Sequence, residues 1–161
     1  MNIRPVLSGD VEDILGLFES VAAEELWIGT EPDFNREHYV DFITSASRRT
    51  ENTVAFVALN DKQKIVGEIN AYRDGEEWSL GMLILKPYRR IGVGSALLTT
   101  LIVWAKKADI AELHLEVFPH NEAALGLYRR FGFMQKAYHK HQLVRRNGER
   151  WDTIEMVLKL S

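Results

Sequence analysis

Apolar residues recur at intervals of three and four along four stretches of the chain, the spacing that places them on one side of a helix. The clearest stripe comprises Leu97, Leu98, Leu101, Ile102 and Ala105, and it predicts a long helix with one buried side. Seven other stretches have the composition or the alternation of strands. In chain order they read NIRPVL, TVAFVAL, KIVGEINAY, WSLGMLIL, ELHLEVF, FMQKAYHKHQLVR and WDTIEMVLKL.

The predicted order is a strand, two helices, three strands, a helix, a strand, a helix and two strands. Asp-Gly and Asn-Gly pairs, in RDGEE and RNGE, predict antiparallel hairpins. A helix from Asn121 to Phe131 should end at Gly132. The pattern therefore predicts an α+β fold with a mixed, mostly antiparallel central sheet of about seven strands flanked by about four helices. Residues 1–161 contain no repeat or linker and are predicted to form a single domain.

Composition narrows the class of protein. The chain has 161 residues, and its 20 Lys and Arg against 23 Asp and Glu argue against broad nucleic-acid binding. The absence of cysteine excludes a disulfide, a thiolate nucleophile and a cysteine zinc site, and it fits a reducing compartment. The first ten residues have no apolar signal core, and no apolar run approaches a membrane span. We therefore expect a cytoplasmic protein without a membrane partner.

A glycine-rich turn precedes the long helix, in the stretch LKPYRRIGVGSALL. Gly92 and Gly94 lack a Cβ, so an anion can approach the backbone, and the helix that follows presents unpaired N–H groups. Arg89 and Arg90 add positive charge. A dinucleotide fingerprint would need a third glycine where Leu97 stands, and the Walker loop pattern is absent. This stretch alone leaves a phosphate site and a plain turn with solvated arginines both open.

A second block, LHLEVFPHNEAALGLYRRFGF, changes that balance. PYRRIGVGSALL matches the [QR]-x-x-G-x-[GA] acyl-CoA loop of the GNAT superfamily of N-acetyltransferases, and the second block resembles the strand and helix that follow it in that family. The resemblance covers nearly the whole chain and is strongest from Ile65 to Phe133. The motif spacing is most similar to the bacterial ribosomal-protein alanine N-acetyltransferases.

The resemblance implies a GNAT fold that uses acetyl-CoA as cosubstrate, bound where two parallel strands separate. Backbone groups of Leu83, Ile84 and Leu85 would pair with the pantetheine as an added strand, and Asn121 would contact the cofactor. The backbone N–H groups implied for the pyrophosphate are those of Arg90, Ile91, Gly92, Val93, Gly94 and Ser95.

The implied reaction moves an acetyl group to a primary amine by direct attack in a ternary complex. Tyr128 resembles the family's general acid for the leaving thiolate, although its place on an apolar helix face also fits a packing role. Glu116 resembles the base of the alanine-acetylating subgroup, with Glu68, Glu77 or water as rivals. A non-catalytic acyl-CoA-binding or sensing module is the alternative function.

The acceptor is expected to be a small-molecule or peptide amine, bound beside the first two helices and the closing hairpin. The acids in that region, which could attract a cationic amine, are Glu24, Glu25, Glu31 and Asp33, and the apolar residues that could line a pocket are Trp27, Ile28, Phe34 and Trp151. Ordinary loop and surface composition explains the same residues and is slightly favoured. The sequence leaves a homodimer open. His114, His139 and His141 lack the spacing of a metal site, so no metal is expected.

Overall fold

Seven strands and four helices follow one another in the order predicted from the sequence. The computed structural model describes residues 1–161. The elements are β1 Asn2–Pro5, α1 Val11–Ala22, α2 Arg36–Ser47, β2 Thr53–Leu59, β3 Ile65–Asp74, β4 Glu77–Ile84, α3 Val93–Lys107, β5 Glu112–Val117, α4 Glu122–Arg130, β6 Met134–Val144 and β7 Arg150–Lys159. Short 3-10 turns cover Ser8–Asp10 and Lys86–Tyr88. The predicted α+β class and mostly antiparallel sheet are confirmed.

The strands form one sheet in the order β1-β2-β3-β4-β5-β7-β6. All neighbours are antiparallel except β4 and β5, which are parallel and pair only through Trp78 with Leu113 and Ser79 with His114. Beyond Ser79 the two strands share no further pairs. We call the opening between residues 80–84 of β4 and residues 115–117 of β5 the gap.

Helices cover both faces of the sheet and bury two apolar clusters. Helices α3 and α4 pack on one face, where Leu97, Leu98 and Leu101 are fully buried. Helices α1 and α2 pack on the other face, where Ile14 and Leu15 are fully buried. The predicted stripe of α3 is confirmed except at Ile102, which is only half-buried.

Both predicted hairpins form, but each turn is built differently from the predicted glycine pair. In the β3–β4 hairpin, Asp74 pairs with Glu77, so the turn residues are Gly75, with φ +63°, and Glu76. A positive φ at the first turn position is a place where glycine is favoured. In the β6–β7 hairpin, Arg145 and Glu149 close a three-residue loop in which Gly148 has φ +90°. None of the four helices combines the length and the apolar composition of a membrane span.

Candidate active site

The β4 edge of the gap offers backbone groups at alternate residues. The N–H of Leu85 donates to Val66 O at 2.8 Å and its carbonyl accepts from Tyr88 N at 2.9 Å, so both groups are already paired. In an antiparallel ladder the bonding direction alternates along a strand, which turns Leu83 toward β3 as well. Met82 and Ile84 therefore direct their backbone groups into the gap. The structure therefore does not leave Leu85 free for the predicted role and turns Leu83 toward β3, whereas Ile84 stays a candidate, as predicted, and Met82 joins it.

Residues 90–95 lie next to the gap and are called the glycine loop. They carry six successive backbone N–H groups that are unpaired. None of the N–H groups of residues 90–95 donates to an acceptor in the chain, whereas Ala96 N donates to Gly92 O at 3.1 Å. Arg90 and Gly92 have left-handed φ values of +67° and +93°, and alternating backbone conformations of this kind turn successive amides to one side. Helix α3 begins at Val93 and adds its positive dipole end. The loop is thus arranged to hold an anion.

The two glycines of this loop are required for different reasons. A Cβ at Gly92 would meet nothing within 4 Å, so its φ of +93° is what favours glycine there. A Cβ at Gly94 would lie 3.0 Å from Leu127 Cδ2 and 3.3 Å from Ile84 Cδ1. Gly94 therefore allows α3 to pack closely against α4 and β4. The sequence suggested close approach of a phosphate for both positions.

The two arginines before the glycines also differ. Arg89 turns away from the loop and forms a bidentate ion pair with Glu24, with N–O distances of 2.8 and 2.6 Å. Its Nε donates to Ile84 O at 2.8 Å, on the gap edge of β4. This ion pair lowers the pKa of Glu24. Arg90 is exposed and is the arginine left to face an anion on the loop.

Tyr128 lies on α4, which runs from Glu122 to Arg130 and so begins and ends one residue inside the predicted range. Asn121 caps the helix by accepting from Ala124 N at 3.2 Å, and Gly132, with φ +96°, follows its end. The Tyr128 side chain is 6% exposed and packs edge-on against Phe133. Burial raises the pKa of its hydroxyl, so the phenol stays protonated at neutral pH.

The Tyr128 hydroxyl makes no hydrogen bond within the chain. The fully enclosed side-chain polar atoms that lack a hydrogen bond belong to Glu31, His114 and Arg145, so the Tyr128 hydroxyl is not fully enclosed. An unpaired hydroxyl that is not enclosed is available to a bound molecule. Tyr128, the predicted general acid, is therefore protonated and unpaired, as a residue that donates a proton must be.

The three candidate bases occupy different surroundings. Glu116 is exposed on β5 and accepts from Thr153 Oγ1 at 2.8 Å through one carboxylate oxygen. Its neighbours Leu115 and Val117 point into the cluster that contains Tyr128, so Glu116 faces the opposite side of the sheet. Glu77 begins β4, at the end where β4 and β5 are still paired. This position separates Glu77 from the gap.

Glu68 is enclosed. It lies on β3 directly between Val57 of β2 and Leu83 of β4, both buried, and it is 2% exposed. Burial raises the pKa of Glu68 to about 8, although Asn70 Nδ2 donates to it at 2.9 Å and offsets part of the shift. A carboxyl in this state is protonated at neutral pH and is not ready to accept a proton.

Residues 23–35, which connect α1 to α2, cross the open end of the gap and are called the strap. The strap reaches Arg89 after β4 through Glu24, and Leu26 O accepts from His120 after β5 at 2.6 Å. On the hairpin side, the buried Arg145 donates to Ile28 O at 3.0 Å. The strap therefore touches the continuations of both strands that separate, and it also touches the hairpin.

The strap acids are paired rather than free. Besides the Glu24 pair, Arg145 Nε lies 2.7 Å from Glu31 and Arg146 Nη2 lies 2.7 Å from Glu25. The expectation that these acids attract a cationic amine is therefore not supported for Glu24, Glu25 and Glu31. Arg145 is itself buried, with 4% exposure, so its pair with Glu31 lies beneath the surface of the hairpin.

Aromatic side chains line the meeting point of strap, β5 and hairpin. Phe118 stacks on His120 at 5.4 Å, and Trp151 lies edge-on to both rings at 4.9 and 5.0 Å. Trp27 lies 5.9 Å from His120. We call these four residues the aromatic wall. Two other residues expected in a pocket, Ile28 and Phe34, pack against the α1–α2 core instead.

The sequence indicated none of these long-range contacts, because each joins residues far apart in the chain. Their only sequence signal is composition, since acids cluster in the strap and arginines in the glycine loop and hairpin.

Among His, Asp and Glu side chains, no group of three is placed to hold a metal ion. His114 Nε2 lies 3.1 Å from Glu112 and His139 Nε2 lies 2.9 Å from Glu155.

Part of the sequence is similar to that of a curated acetyltransferase. Over 74 residues the chain is 39% identical to the ribosomal protein bS18-alanine N-acetyltransferase of Escherichia coli strain K12, a match that covers 46% of this chain and 49% of that protein. The chain thus spans about half the length of the curated relatives it matches.

Solved structures extend the similarity to the whole fold. A GNAT-family acetyltransferase from Streptococcus pneumoniae has a TM-score of 0.86 and 24% identity, over 98% of both chains. The phosphinothricin acetyltransferase of Sinorhizobium meliloti, solved with acetyl-CoA, has a TM-score of 0.87 and 16% identity, over 99% of this chain and 88% of that one. A model of the acetyltransferase (GNAT) family matches residues 20–133, which include the glycine loop, both gap strands and Tyr128. The protein therefore belongs to the acetyltransferase (GNAT) family.

Proposed function

We propose that the protein is an N-acetyltransferase that moves an acetyl group from acetyl-CoA to a primary amine. The observation that carries the proposal is the run of unpaired N–H groups from residue 90 to residue 95 beside the gap. A diphosphate satisfies such a run at a helix N-terminus. The pantetheine arm of the same molecule carries amides, which suit the backbone groups of Met82 and the N–H of Ile84, whose carbonyl already accepts from Arg89 Nε.

In this proposal the thioester lies in the gap, between residues that act from opposite faces of the sheet. Glu116 accepts a proton from the amine, whose nitrogen attacks the thioester carbonyl and forms the new C–N bond. Thr153 holds one Glu116 oxygen, which leaves the other free for this role. Tyr128 donates its proton to the sulfur as the C–S bond breaks, so amide and free CoA are the products.

Two further residues support the site without taking part in proton transfer. Asn121 fixes the start of α4 and hence the position of Tyr128, and this capping role is compatible with a cofactor contact. Arg90 adds positive charge beside the diphosphate. The absence of cysteine removes the thiolate route to an acetyl-enzyme, so direct attack in a ternary complex is the simpler mechanism.

The proposal is tested by incubating the protein with acetyl-CoA and a panel of primary amines, while free thiol and product mass are followed. We expect thiol release that requires both substrates and a product heavier by one acetyl group. Glu116→Gln should remove the acidic limb of the pH–rate profile, whereas Glu77→Gln should keep it. Tight acetyl-CoA binding without turnover on any amine would instead favour a sensing module.

A further inference from the structure

The acceptor that the site selects can be narrowed from the charges around the gap, an inference that rests on the proposed function. An amine that reaches the Glu116 side of the gap passes the strap, because the strap touches Arg89 beyond β4 and His120 beyond β5. The side chains of this crossing therefore decide which amines are held near the thioester.

Most of the negative charge at this crossing is already neutralised by arginines. Three of the four strap acids are held by arginines at 2.6–2.8 Å: Glu24 by Arg89, Glu25 by Arg146 and Glu31 by Arg145. Asp33 is the fourth and has no ion-pair partner. A polyamine with two or three ammonium groups needs several free carboxylates. Glu116 is also the proposed base, and Glu155, which lies opposite it on β7, is held by Lys136 at 3.2 Å and His139 at 2.9 Å.

Aromatic side chains line the same crossing. The aromatic wall brings together side chains from three separate segments, with Trp27 on the strap, Phe118 and His120 after β5, and Trp151 on β7. The Arg145 guanidinium lies 4.2 Å from the Trp151 ring centroid and supports that ring from beneath. Trp27 and Trp151 remain partly exposed, so their surfaces can pack against a flat apolar group.

We propose that the acceptor carries a single amine on an aromatic body, and that polyamines are disfavoured. The amine would reach Glu116 while the ring packs against the aromatic wall. A free arylalkylamine and a peptide whose first residue is aromatic share this chemistry.

The test compares kcat/KM for 2-phenylethylamine, a phenylalanyl tripeptide, n-butylamine as the matched amine without a ring, and spermidine. We expect an aromatic acceptor to exceed both n-butylamine and spermidine by about tenfold or more, since burial of a ring is worth at least that factor. A higher kcat/KM for 2-phenylethylamine than for the tripeptide identifies a free arylalkylamine as the acceptor class, and the reverse identifies a peptide. Spermidine as the best acceptor would overturn the inference.

Variants locate the preference in the named residues. Trp151→Ala should raise KM for the aromatic acceptor about tenfold and leave KM for acetyl-CoA within about twofold, with Trp151→Phe as the control that keeps a ring. Arg146→Gln frees Glu25 and should raise kcat/KM for spermidine about three- to tenfold, while the aromatic acceptor changes by less than about twofold. An unchanged aromatic preference in Trp151→Ala would contradict the assignment.

The two proposals fail in different ways. If acetyl-CoA binds but no amine is acetylated, the proposed transferase function fails and the acceptor inference fails with it. If amines are acetylated without preference for a ring, the transferase function stands and only the acceptor inference is overturned.

Discussion

The guanidinium of Arg89 and the carboxylate of Glu24 lie 65 positions apart in the chain and meet in a bidentate ion pair, with N–O distances of 2.8 and 2.6 Å. The same Glu24 carboxylate accepts from Trp27 Nε1 at 3.1 Å, and Arg89 Nε donates to Ile84 O. The Arg89 side chain, directly before the glycine loop, thus contacts both the gap edge of β4 and the strap.

Glu24→Gln tests the energetic weight of that pair. The side chains of Arg89 and Glu24 are 25% and 20% exposed, so loss of the negative charge leaves a partly buried guanidinium without its counter-charge. We expect the free energy of unfolding to fall by about 1–2 kcal/mol in urea denaturation. Glu25→Gln is the matched control, because its pair with Arg146 is about half exposed, and it should cost less than about 0.5 kcal/mol. Equal losses of unfolding free energy in the two variants would show that the Arg89–Glu24 pair stabilises the fold no more than an exposed pair does.

Glu68→Gln should change how stability depends on pH. The folded pKa of about 8 lies above the ordinary value of 4.5, so the folded chain keeps a proton that the unfolded chain releases. The free energy of unfolding should therefore fall as the pH rises from about 4.5 to about 8. The neutral glutamine removes this slope and should raise stability at pH 8 by about 2–4 kcal/mol.

The Glu68 experiment needs an acid that is exposed and unpaired as its control, and Glu51→Gln serves. Urea unfolding at several pH values would compare the two variants with the wild type. A slope between pH 5 and pH 8 that survives in Glu68→Gln would show that the buried carboxyl is not its source.

Gly92→Ala and Gly94→Ala should both destabilise the protein, for different reasons. Alanine at position 92 must adopt φ +93°, which we expect to cost about 1–2 kcal/mol and to disturb the free amides, so acetyl-CoA affinity should fall too. Alanine at position 94 would meet Leu127 at 3.0 Å. A double-mutant cycle with Leu127→Ala should therefore show favourable coupling of about 1 kcal/mol for position 94 and none for position 92. Coupling at both positions, or at neither, would contradict the distinction.

Tyr128→Phe should separate chemistry from packing. The hydroxyl has no partner in the chain, so its removal should leave the melting temperature nearly unchanged. Loss of the general acid should lower kcat by about 100-fold, with KM for acetyl-CoA within about threefold. A folded variant with unchanged kcat would exclude Tyr128 from proton transfer.

Local patterns were sufficient to predict the elements of this fold. The stripe around Leu97 and Leu101 predicts α3, because helical spacing survives in the sequence of any helix that buries one side. The separation of β4 and β5 after Ser79 has no such pattern, since it depends on pairing between strands. The sequence therefore located the glycine loop but left its role open, and family resemblance was needed to propose a phosphate site there and to place the gap beside it.

The errors in the predicted site arise from contacts between distant segments. Arg89 looks like a phosphate ligand in the sequence, and only the fold brings Glu24 to it. Leu85 looks like an edge residue, but the ladder with Val66 and the turn at Tyr88 engage both of its backbone groups. Charge and edge availability depend on which residues lie opposite in space, and a single sequence does not contain that information.

Calorimetric titration with acetyl-CoA, CoA and S-acetylpantetheine, which lacks the diphosphate, tests the central claim most directly. If the amides of residues 90–95 hold the diphosphate, acetyl-CoA and CoA should bind at one site per chain, and S-acetylpantetheine should bind at least about 100-fold more weakly. Absence of heat with acetyl-CoA on folded protein, or equal affinity for S-acetylpantetheine, would contradict the account.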